Sequence, residues 1–392
     1  MDECAPALNT GLRGVDVASS KICDVQGKEG KLIYRGYRIE DLAEKASFEE
    51  ICFLLLYERL PQKEELDDFD ASLKQKRHIP KNVTDLLKAL PREMNPMDVL
   101  QMAIPLLIQT DKNVGQDKME SILFSAENLI AGMGTLIAAW DRIRNGQEPV
   151  MPDANLSHAA NFLYMLTGTP PDGEIAHFFD VGLVLHAEHS FNASTFTARQ
   201  VASTRAHIYA AISAAIGSLS GALHGGANVR VMEMLKKIKR VDKVDDYVQN
   251  VLDTGGLIMG LGHAVYQTDD PRALILAPMS KRMGEIIGDT LWYELSKKLE
   301  ERGKAAFMER KQREIFCNVD FYSASLFYSM GIPMDLFTPL FALSRVSGWT
   351  AHVIEEQFAM AAPKPSLYRP GATYVGDYCG PDECTFTDID DR

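Results

Sequence analysis

The stretch DKMESILFSAENLIAGMGTLIAAWDRIRNG, residues 117–146, decides the fold class. Its apolar residues recur at the spacing of one helix face, which predicts a single long α-helix. Segments on both sides show the same pattern, and they cover residues 39–61, 64–77, 82–90, 96–108, 157–217 and 228–253. We therefore expect an all-α protein. No sequence period of about 20–50 residues repeats, which argues against a helical solenoid.

The best strand signal lies near the N-terminus, in KICDVQGKEGKLIYRGY (residues 21–37). The residues Gly-Lys-Glu-Gly at 27–30 provide the turn of a predicted short β-hairpin. In the segment that follows, Ser47 and Glu50 predict a capping box at the start of a helix that Pro61 halts. The last residues, TFTDIDDR, predict an acidic surface tail.

The composition is that of a folded globular protein. The chain has 392 residues, of which 46% are hydrophobic and 24% charged, and this length predicts two or three domains. Its 41 Lys and Arg against 54 Asp and Glu give a formal net charge of −13. This balance argues against nucleic acid or an anionic membrane as a partner. An anionic ligand therefore requires cationic side chains that are gathered locally.

No segment predicts export or insertion into a membrane. The N-terminus has neither the apolar region of a signal peptide nor an Arg-rich transit pattern. The uncharged stretch 208–223 is too short and too polar to span a bilayer, and it predicts a helix packed closely against another helix. The six cysteines are scattered, which indicates reduced thiols and a cytoplasmic protein. A disulfide or metal site at Cys379 and Cys384 is the less favoured alternative.

Two neighbouring histidines, His186 and His189, are spaced i and i+3, which predicts that they share one face of a helix. With Glu188 between them, they raise the question of a metal site. Their spacing falls short of the His-Glu-x-x-His pattern and no third ligand is obvious, so no metal is expected. Five other histidines lack chemical neighbours and are interpreted as structural: His78, His158, His177, His207 and His352.

Three residues could carry chemistry. In GLIMGLGHAVYQTDDPRA (residues 256–273), His263 follows a loose run of glycines and is either a working residue or a polar side chain in a turn. His224 precedes Gly-Gly near the end of the small-residue helix, as a helix cap or as an imidazole presented to a ligand. Asp320 stands between Val and Phe in the sequence. A carboxylate buried among apolar residues is either paired with another group or has a raised pKa that lets it act as a base. None of these signals decides the function alone.

Five motifs occur together in one order along the chain: LHAEHSFNASTFTAR, GALHGGAN, GLGHAVYQTDDPRA, NVDFYSASLFYSMGIPMDLFTPLFALSRVSGW and YRPGATYVG. In this order and at these separations the sequence resembles the citrate synthases, from LIYRGY near residue 32 to the C-terminus. The resemblance implies a large helical domain (residues 1–224 and 326–392) and a smaller helical closing domain (residues 225–325). The chain is similar to the short bacterial or archaeal type, without the additional N-terminal regulatory domain of some relatives.

The resemblance implies an acyltransferase that condenses acetyl-CoA with oxaloacetate and hydrolyses the citryl thioester, with no cofactor besides the CoA substrate. It makes Asp320 the base for the acetyl methyl group, and His224 the donor to the enolate oxygen. His263 would polarise the oxaloacetate carbonyl. The long separations in sequence mean that only tertiary folding can bring these three residues together.

The resemblance also implies an oxaloacetate site made of His189, Arg272, Arg345 and Arg369, because the arginine fork binds carboxylates in a bidentate manner. In the family the last of these arginines comes from the partner subunit, which implies a homodimer and leaves higher oligomers open. Four positions are expected to contact CoA: Gly260, Gly262, Lys311 and Arg313.

Two positions depart from the family pattern. Gln267 stands where Lys or Arg is common, which removes one expected phosphate contact and makes Lys281 or Arg282 the alternative. Ser190 replaces a frequent Glu. Two other functions stay open. A 2-methylcitrate synthase uses propionyl-CoA with the same catalytic residues, and one methylene changes discrimination by only about 1–3 kcal/mol. A non-catalytic helical CoA-binding scaffold is the remote alternative.

Overall fold

The computed structural model describes residues 10–12, 14–376 and 384–392. These residues form sixteen α-helices and one small antiparallel sheet, so the expectation of an all-α fold with a short N-terminal hairpin is confirmed. The strands are β1 (Cys23–Gln26), β2 (Lys31–Tyr34) and β3 (Tyr37–Arg38). The predicted hairpin is β1–β2, in which Gln26 pairs with Lys31 across the turn. The third strand is an addition that the sequence pattern did not predict.

The long helix predicted from the sequence lies among a first group of helices. This group comprises α1 (Ile39–Lys45), α2 (Phe48–Tyr57), α3 (Lys63–Lys76), α4 (Lys81–Ala89), α5 (Pro96–Ala103), α6 (Met119–Arg144), α7 (His158–Thr167), α8 (Gly173–His186), α9 (Ala193–Ser203) and α10 (Ile208–Leu219). The C-terminal helix α16 (Phe337–Gln357) returns to this group and packs against α2, α6, α8, α9 and α10.

The long helix α6 is the one described helix with the length and apolar composition to cross a bilayer. Its most apolar window is 89% buried within the protein, so packing in the core accounts for that composition. The small-residue helix α10 packs against α9, α16 and α5, which confirms the prediction of close helix packing.

A second group of helices follows in the chain: α11 (Ala227–Ile238), α12 (Val244–Asp253), α13 (Pro271–Ile287), α14 (Leu291–Lys311) and α15 (Val319–Ser329). These helices pack mainly on one another, while α13 also contacts α1 and α8, and α11 contacts α16. One cluster of buried apolar side chains extends through both groups. The domain boundaries near residues 224 and 325 stay a prediction.

Two local expectations are refined by the structure. The segment 39–61 forms two helices, and α2 begins with the predicted capping box. Ser47 Oγ accepts the Glu50 N–H at 3.3 Å, while the Glu50 carboxylate accepts the Ser47 N–H at 2.8 Å. His186 is the last residue of α8, so His189 lies beyond the helix and the two histidines do not share a helix face.

The cysteines are not uniformly reduced. Cys23, Cys52 and Cys317 are free thiols, as predicted. Cys384 is disulfide-bonded, which corrects the expectation of reduced cysteines throughout. Cys379, considered from the sequence as a partner of Cys384, lies outside the described residues.

Candidate active site

The predicted site residues line one open cavity of about 760 Å³. Its walls come from both helix groups, from strand β1 and from the loops that lead into α9, α11 and α15. Seven of the residues proposed from the sequence contribute to the lining: His189, His224, Gly262, His263, Arg272, Asp320 and Arg345. Folding therefore brings together three histidines, two arginines and a carboxylate that are far apart in the chain.

His224 lies in the turn between α10 and α11, and not at the helix end expected from the sequence. Its Nε2 accepts the backbone N–H of Ser194 at 3.1 Å and lies 2.8 Å from Ser194 Oγ. A backbone N–H can only donate, so the proton of the neutral imidazole is on Nδ1. Burial, assisted by Arg345, lowers the pKa of His224 to about 4. The ring is thus a neutral hydrogen-bond donor at neutral pH.

His263 is oriented in the same way by its own loop. Its Nδ1 accepts the backbone N–H groups of Val265 and Tyr266 at 2.9 and 3.0 Å. The proton of the neutral ring is therefore on Nε2. Burial and the nearby Arg272 lower the pKa of His263 to about 4, against the opposing effect of Asp270. His263 is a second neutral donor in the cavity.

The loop that carries His263 is hydrogen-bonded to the segment before Asp320. The Gly262 N–H donates to the Phe316 carbonyl at 2.7 Å, and the Asn318 side chain donates to the Gly262 carbonyl at 3.0 Å. Asn318 also caps α15, where its Oδ1 accepts the Asp320 N–H at 3.1 Å. One residue thereby fixes the relative position of the histidine loop and the carboxylate.

The two glycines predicted to contact CoA have different environments. Gly262 lines the cavity with φ of +96°. Gly260, with φ of +81°, is buried outside the lining, where a Cβ would lie 2.7 Å from the Phe321 ring. Close packing against α15 is therefore the physical reason for glycine at position 260.

Asp320 is the second residue of α15 and lines the cavity. Among the described residues, no donor forms a hydrogen bond with its carboxylate. Burial raises the pKa of Asp320 to about 6, and Asp270 adds to this effect, whereas the positive charges of Arg272, Arg230 and Arg345 oppose it. The carboxylate is thus a stronger base than an exposed aspartate and is still largely ionised at neutral pH.

The two cavity arginines are held differently. Arg272 Nε and Nη2 donate to the two carboxylate oxygens of the wholly buried Asp270 at 3.0 and 2.8 Å. Arg345 Nε donates to the His186 carbonyl at 2.7 Å, and no described carboxylate lies within ion-pair distance of it. Burial lowers the pKa of Arg345. A buried guanidinium without an acidic partner favours an anionic ligand in the cavity.

His189 stands beside the loop that carries His263. Its ring centroid lies 5.5 Å from that of His263 and 5.6 Å from that of Tyr266. Its Nε2 has no hydrogen-bond partner among the described residues. Burial, with the positive charges of Arg272 and of a protonated His263, lowers the pKa of His189 well below its usual value. The ring is a neutral group with one nitrogen available for a ligand.

Besides Gly260, three predicted site residues are not brought to this cavity within the chain. Arg369, Lys311 and Arg313 are exposed and absent from its lining. The alternative phosphate contacts are engaged elsewhere, since Arg282 pairs with Glu174 at 2.9 Å and Lys281 lies 4.0 Å from Glu285.

Several functional contacts were missed from the sequence. The β1–β2 hairpin supports the His263 loop, because the Gly27 carbonyl accepts the Gln267 N–H at 2.8 Å and a Cβ on Gly27 would clash with the Val265 carbonyl. Asp270, the partner of Arg272, also caps α13 ahead of Pro271. That Asp-Pro pair is a readable helix-start signal, whereas nothing local indicates the contact between the hairpin and the loop.

Comparison with known proteins identifies the family. The family model described as citrate synthase, C-terminal domain, matches residues 11–371. The chain belongs to the citrate synthase family. The citrate synthase of Haloferax volcanii is 43% identical over 390 residues, which cover 98% of this chain and 99% of the relative.

Two solved citrate synthase structures have the same fold as this chain. That from Pyrobaculum aerophilum aligns with a TM-score of 0.87 at 36% identity, covering 97% of this chain and 95% of the other. That from Thermoplasma acidophilum aligns with a TM-score of 0.87 at 30% identity, covering 98% of this chain and 100% of the other. The latter is described as a ternary complex with carboxymethyl coenzyme A and oxaloacetate.

The comparisons also separate the three functions left open by the sequence. A 2-methylcitrate synthase of Shewanella oneidensis is 36% identical over 377 residues, which cover 96% of this chain and 97% of the relative. This identity is lower than the 40–43% identity of five citrate synthases. The prediction of an acyl-transferring citrate synthase is confirmed and is favoured over the 2-methylcitrate alternative. Membership in this enzyme family favours an enzyme over a non-catalytic scaffold.

Proposed function

We propose that the cavity binds oxaloacetate and acetyl-CoA, joins them to form citryl-CoA and hydrolyses this thioester to citrate and CoA. The observation that carries the proposal is the convergence of two neutral imidazole donors and one carboxylate of raised pKa on the same cavity. Carbon–carbon bond formation beside a thioester needs these groups: a base for the C–H bond, and donors for the two oxygens whose charge changes.

In the proposed first step, Asp320 removes a proton from the acetyl methyl group, and the electron pair of the C–H bond forms an enolate. His224 donates its Nδ1–H to the thioester oxygen as negative charge develops there. A neutral imidazole suits this role because its acidity can be matched to that of the enol. Its tautomer is set before the substrate binds, so no reorganisation of this group is required.

In the second step, the enolate carbon attacks the ketone of oxaloacetate. We assign His263 Nε2–H to the ketone oxygen, which becomes the hydroxyl oxygen of citryl-CoA. Arg272, Arg345 and His189 are assigned to the oxaloacetate carboxylates, as supported by the buried positive charge of Arg345 and the available Nε2 of His189. Attack of water on the thioester carbonyl then releases the CoA thiol and citrate.

We also propose that the protein acts as a homodimer in which Arg369 enters the site of the neighbouring subunit. The exposure of Arg369, away from the cavity of its own chain, supports this. Lys311 and Arg313 are proposed phosphate contacts of CoA, for which their exposed position is suitable. A cytoplasmic location, the absence of nucleic acid and membrane partners and the absence of any cofactor or metal besides the CoA substrate stay predictions.

Initial rates of thiol release test the proposal, with acetyl-CoA or propionyl-CoA as the acyl donor and oxaloacetate as the acceptor. We expect the larger kcat/KM with acetyl-CoA. Asp320→Asn should lower kcat by orders of magnitude and change oxaloacetate binding little, while Asp68→Asn, on the exposed surface of α3, should match the parent. Equal rates for the two variants would contradict the assigned base, and a preference for propionyl-CoA would contradict the assigned substrate.

A further inference from the structure

A buried polar network begins directly behind the oxaloacetate side of the cavity. Glu188 precedes His189 and is wholly buried. Its backbone is held by the Tyr34 hydroxyl, which donates to the Glu188 carbonyl at 2.9 Å and accepts the Glu188 N–H at 3.2 Å. One carboxylate oxygen of Glu188 lies 3.0 Å from His352 Nε2. The loop that presents His189 is therefore tied through Glu188 to helix α16.

His352, interpreted from the sequence as a structural histidine, is a defined link in this network. Its Nδ1 lies 3.1 Å from Arg199 Nη1. A guanidinium can only donate, so His352 Nδ1 is the acceptor and Nε2 carries the hydrogen that is donated to Glu188. The imidazole thus joins an arginine on α9 to the carboxylate next to the substrate histidine.

From Arg199 the network continues to the C-terminal segment. Arg199 Nη1 donates to Glu355 at 2.7 Å, and its Nη2 pairs with Glu356 at 2.7 Å. The same Glu356 oxygen accepts the Tyr368 hydroxyl at 2.8 Å. Tyr368 immediately precedes Arg369, and its ring lies 5.5 Å from that of Phe196 on α9. The side chain directly before Arg369 is therefore bound to the network that begins at Glu188.

The cavity wall packs against the middle of this network. Phe191 lines the cavity, and its ring lies 4.6 Å from the Arg199 guanidinium carbon and 5.5 Å from the His352 ring. Movement of residues 188–191 must therefore displace Arg199 or His352, because packed side chains and charged hydrogen bonds resist partial shifts.

We propose that His352 and Arg199 are positioning residues, which hold the oxaloacetate-binding loop 188–191 and the segment that carries Arg369 in one hydrogen-bonded unit. The inference rests on the proposed oxaloacetate roles of His189 and Arg369. If Arg369 acts in the neighbouring subunit, this unit joins the oxaloacetate site of each subunit to the arginine that it provides to the other.

The substitution Tyr368→Phe tests the outer end of the network, because it removes one hydroxyl and keeps the aromatic packing on Phe196. We expect the KM for oxaloacetate to rise about threefold to tenfold, as for the loss of one typical hydrogen bond, with little change in kcat or in the KM for acetyl-CoA. Tyr37→Phe, on the exposed strand β3, is the matched control. Identical oxaloacetate KM values for the two variants would overturn the proposal.

His352 tests the centre of the network. His352→Gln retains a donor and an acceptor at a similar separation, whereas His352→Leu leaves Glu188 without its partner. We expect the Gln variant to keep the oxaloacetate KM near that of the parent and the Leu variant to raise it by about tenfold or more. Equal effects of the two substitutions would indicate a purely steric role and reject the positioning role.

Double-mutant cycles that combine Tyr368→Phe with His352→Gln or His352→Leu test whether the two ends are coupled. The effect of Tyr368→Phe on the oxaloacetate KM should be the same in the parent and in the His352→Gln background, and largely lost in the His352→Leu background. Full additivity with His352→Leu would reject a continuous network.

The substitution Arg369→Leu distinguishes failure of the network from failure of the proposed function. An unchanged oxaloacetate KM in Arg369→Leu rejects the role of Arg369, on which the inference rests. A raised oxaloacetate KM in Arg369→Leu, without any effect of Tyr368→Phe, rejects the network alone.

Discussion

The pKa of Asp320 near 6 has a direct kinetic consequence in acid. The active form of the base is the carboxylate, so kcat/KM for acetyl-CoA should fall as the pH drops through about 6. With that pKa, about nine-tenths of the enzyme is ionised at pH 7 and about one-tenth at pH 5, which predicts a loss of about tenfold. An exposed aspartate of ordinary pKa would stay almost wholly ionised over this range.

The histidines do not obscure this part of the profile. His224 and His263 have pKa values of about 4, so both rings are still mainly neutral at pH 5. The measurement is the initial rate of thioester loss at saturating oxaloacetate, followed by absorbance at each pH, with stability checked by returning the enzyme to pH 7. A constant kcat/KM between about pH 7 and pH 5 would refute the assignment of a buried, desolvated base.

Removal of the positive charge of Arg230 on α11 provides a second test of the pKa of Asp320. The positive charge of Arg230 lowers the pKa of Asp320, so Arg230→Gln should move the acid limb to higher pH. Arg240→Gln removes an equal charge from an exposed position, where Arg240 pairs with Asp242, and should leave the limb in place. Equal displacement by both variants would indicate a general effect of net charge instead of a local one.

Three further predictions concern the walls of the cavity. Arg272→Leu and Arg345→Leu should both raise the KM for oxaloacetate. Only Arg272→Leu should lower the free energy of unfolding by about 3–5 kcal/mol, since it leaves the buried Asp270 unpaired, and thermal unfolding measures this difference. Coexpressed Arg369→Leu and Asp320→Asn chains should regain activity in mixed dimers, up to about half of the parent if the sites are independent. Gly27→Ala should reduce kcat/KM with the fold retained, because the added methyl group displaces the loop carbonyl that faces it.

Matched measurements decide each of these cases. If Arg345→Leu destabilises the protein as much as Arg272→Leu, the difference between their buried environments has been misjudged. Inactive purified heterodimers would place Arg369 in its own site or outside any site. Gly173→Ala, where a Cβ meets no described atom within 4 Å, is the control for Gly27→Ala, and equal activity of these two variants would contradict the support of the loop by the hairpin.

The sequence predicted most of what is local or carried by a family motif. Periodicity and capping patterns predict the helical fold, the hairpin and the capping box of Ser47 and Glu50, and all three are present. The residues that line the cavity were chosen by their motifs, since no single residue signal was decisive. The placement of His189 on one helix with His186 was wrong, because the pattern does not mark where α8 ends.

Contacts between distant segments could not be predicted from the sequence. The Ser194 N–H that sets the His224 tautomer is thirty positions away along the chain, and every non-proline residue has such a group. The pairing of Arg272 with Asp270 is local, since only two positions separate them, but it also was not predicted. It changes the expected carboxylate clamp, because one edge of the arginine fork is occupied by the protein. The network through His352 was missed for the same reason, since isolated residues in a pattern show no partners.

The use of main-chain amides to orient the imidazoles of His224 and His263 affects how this enzyme tolerates mutation. The groups that direct the hydrogens of His224 and His263 into the cavity belong to positions 194, 265 and 266. Replacement of a side chain at any of these positions leaves the amide in place, and proline is the one standard residue that deletes it. The backbone conformation therefore sets the tautomers of both imidazoles. Homologues can differ in the side chains at these positions and still keep the same ring nitrogens protonated.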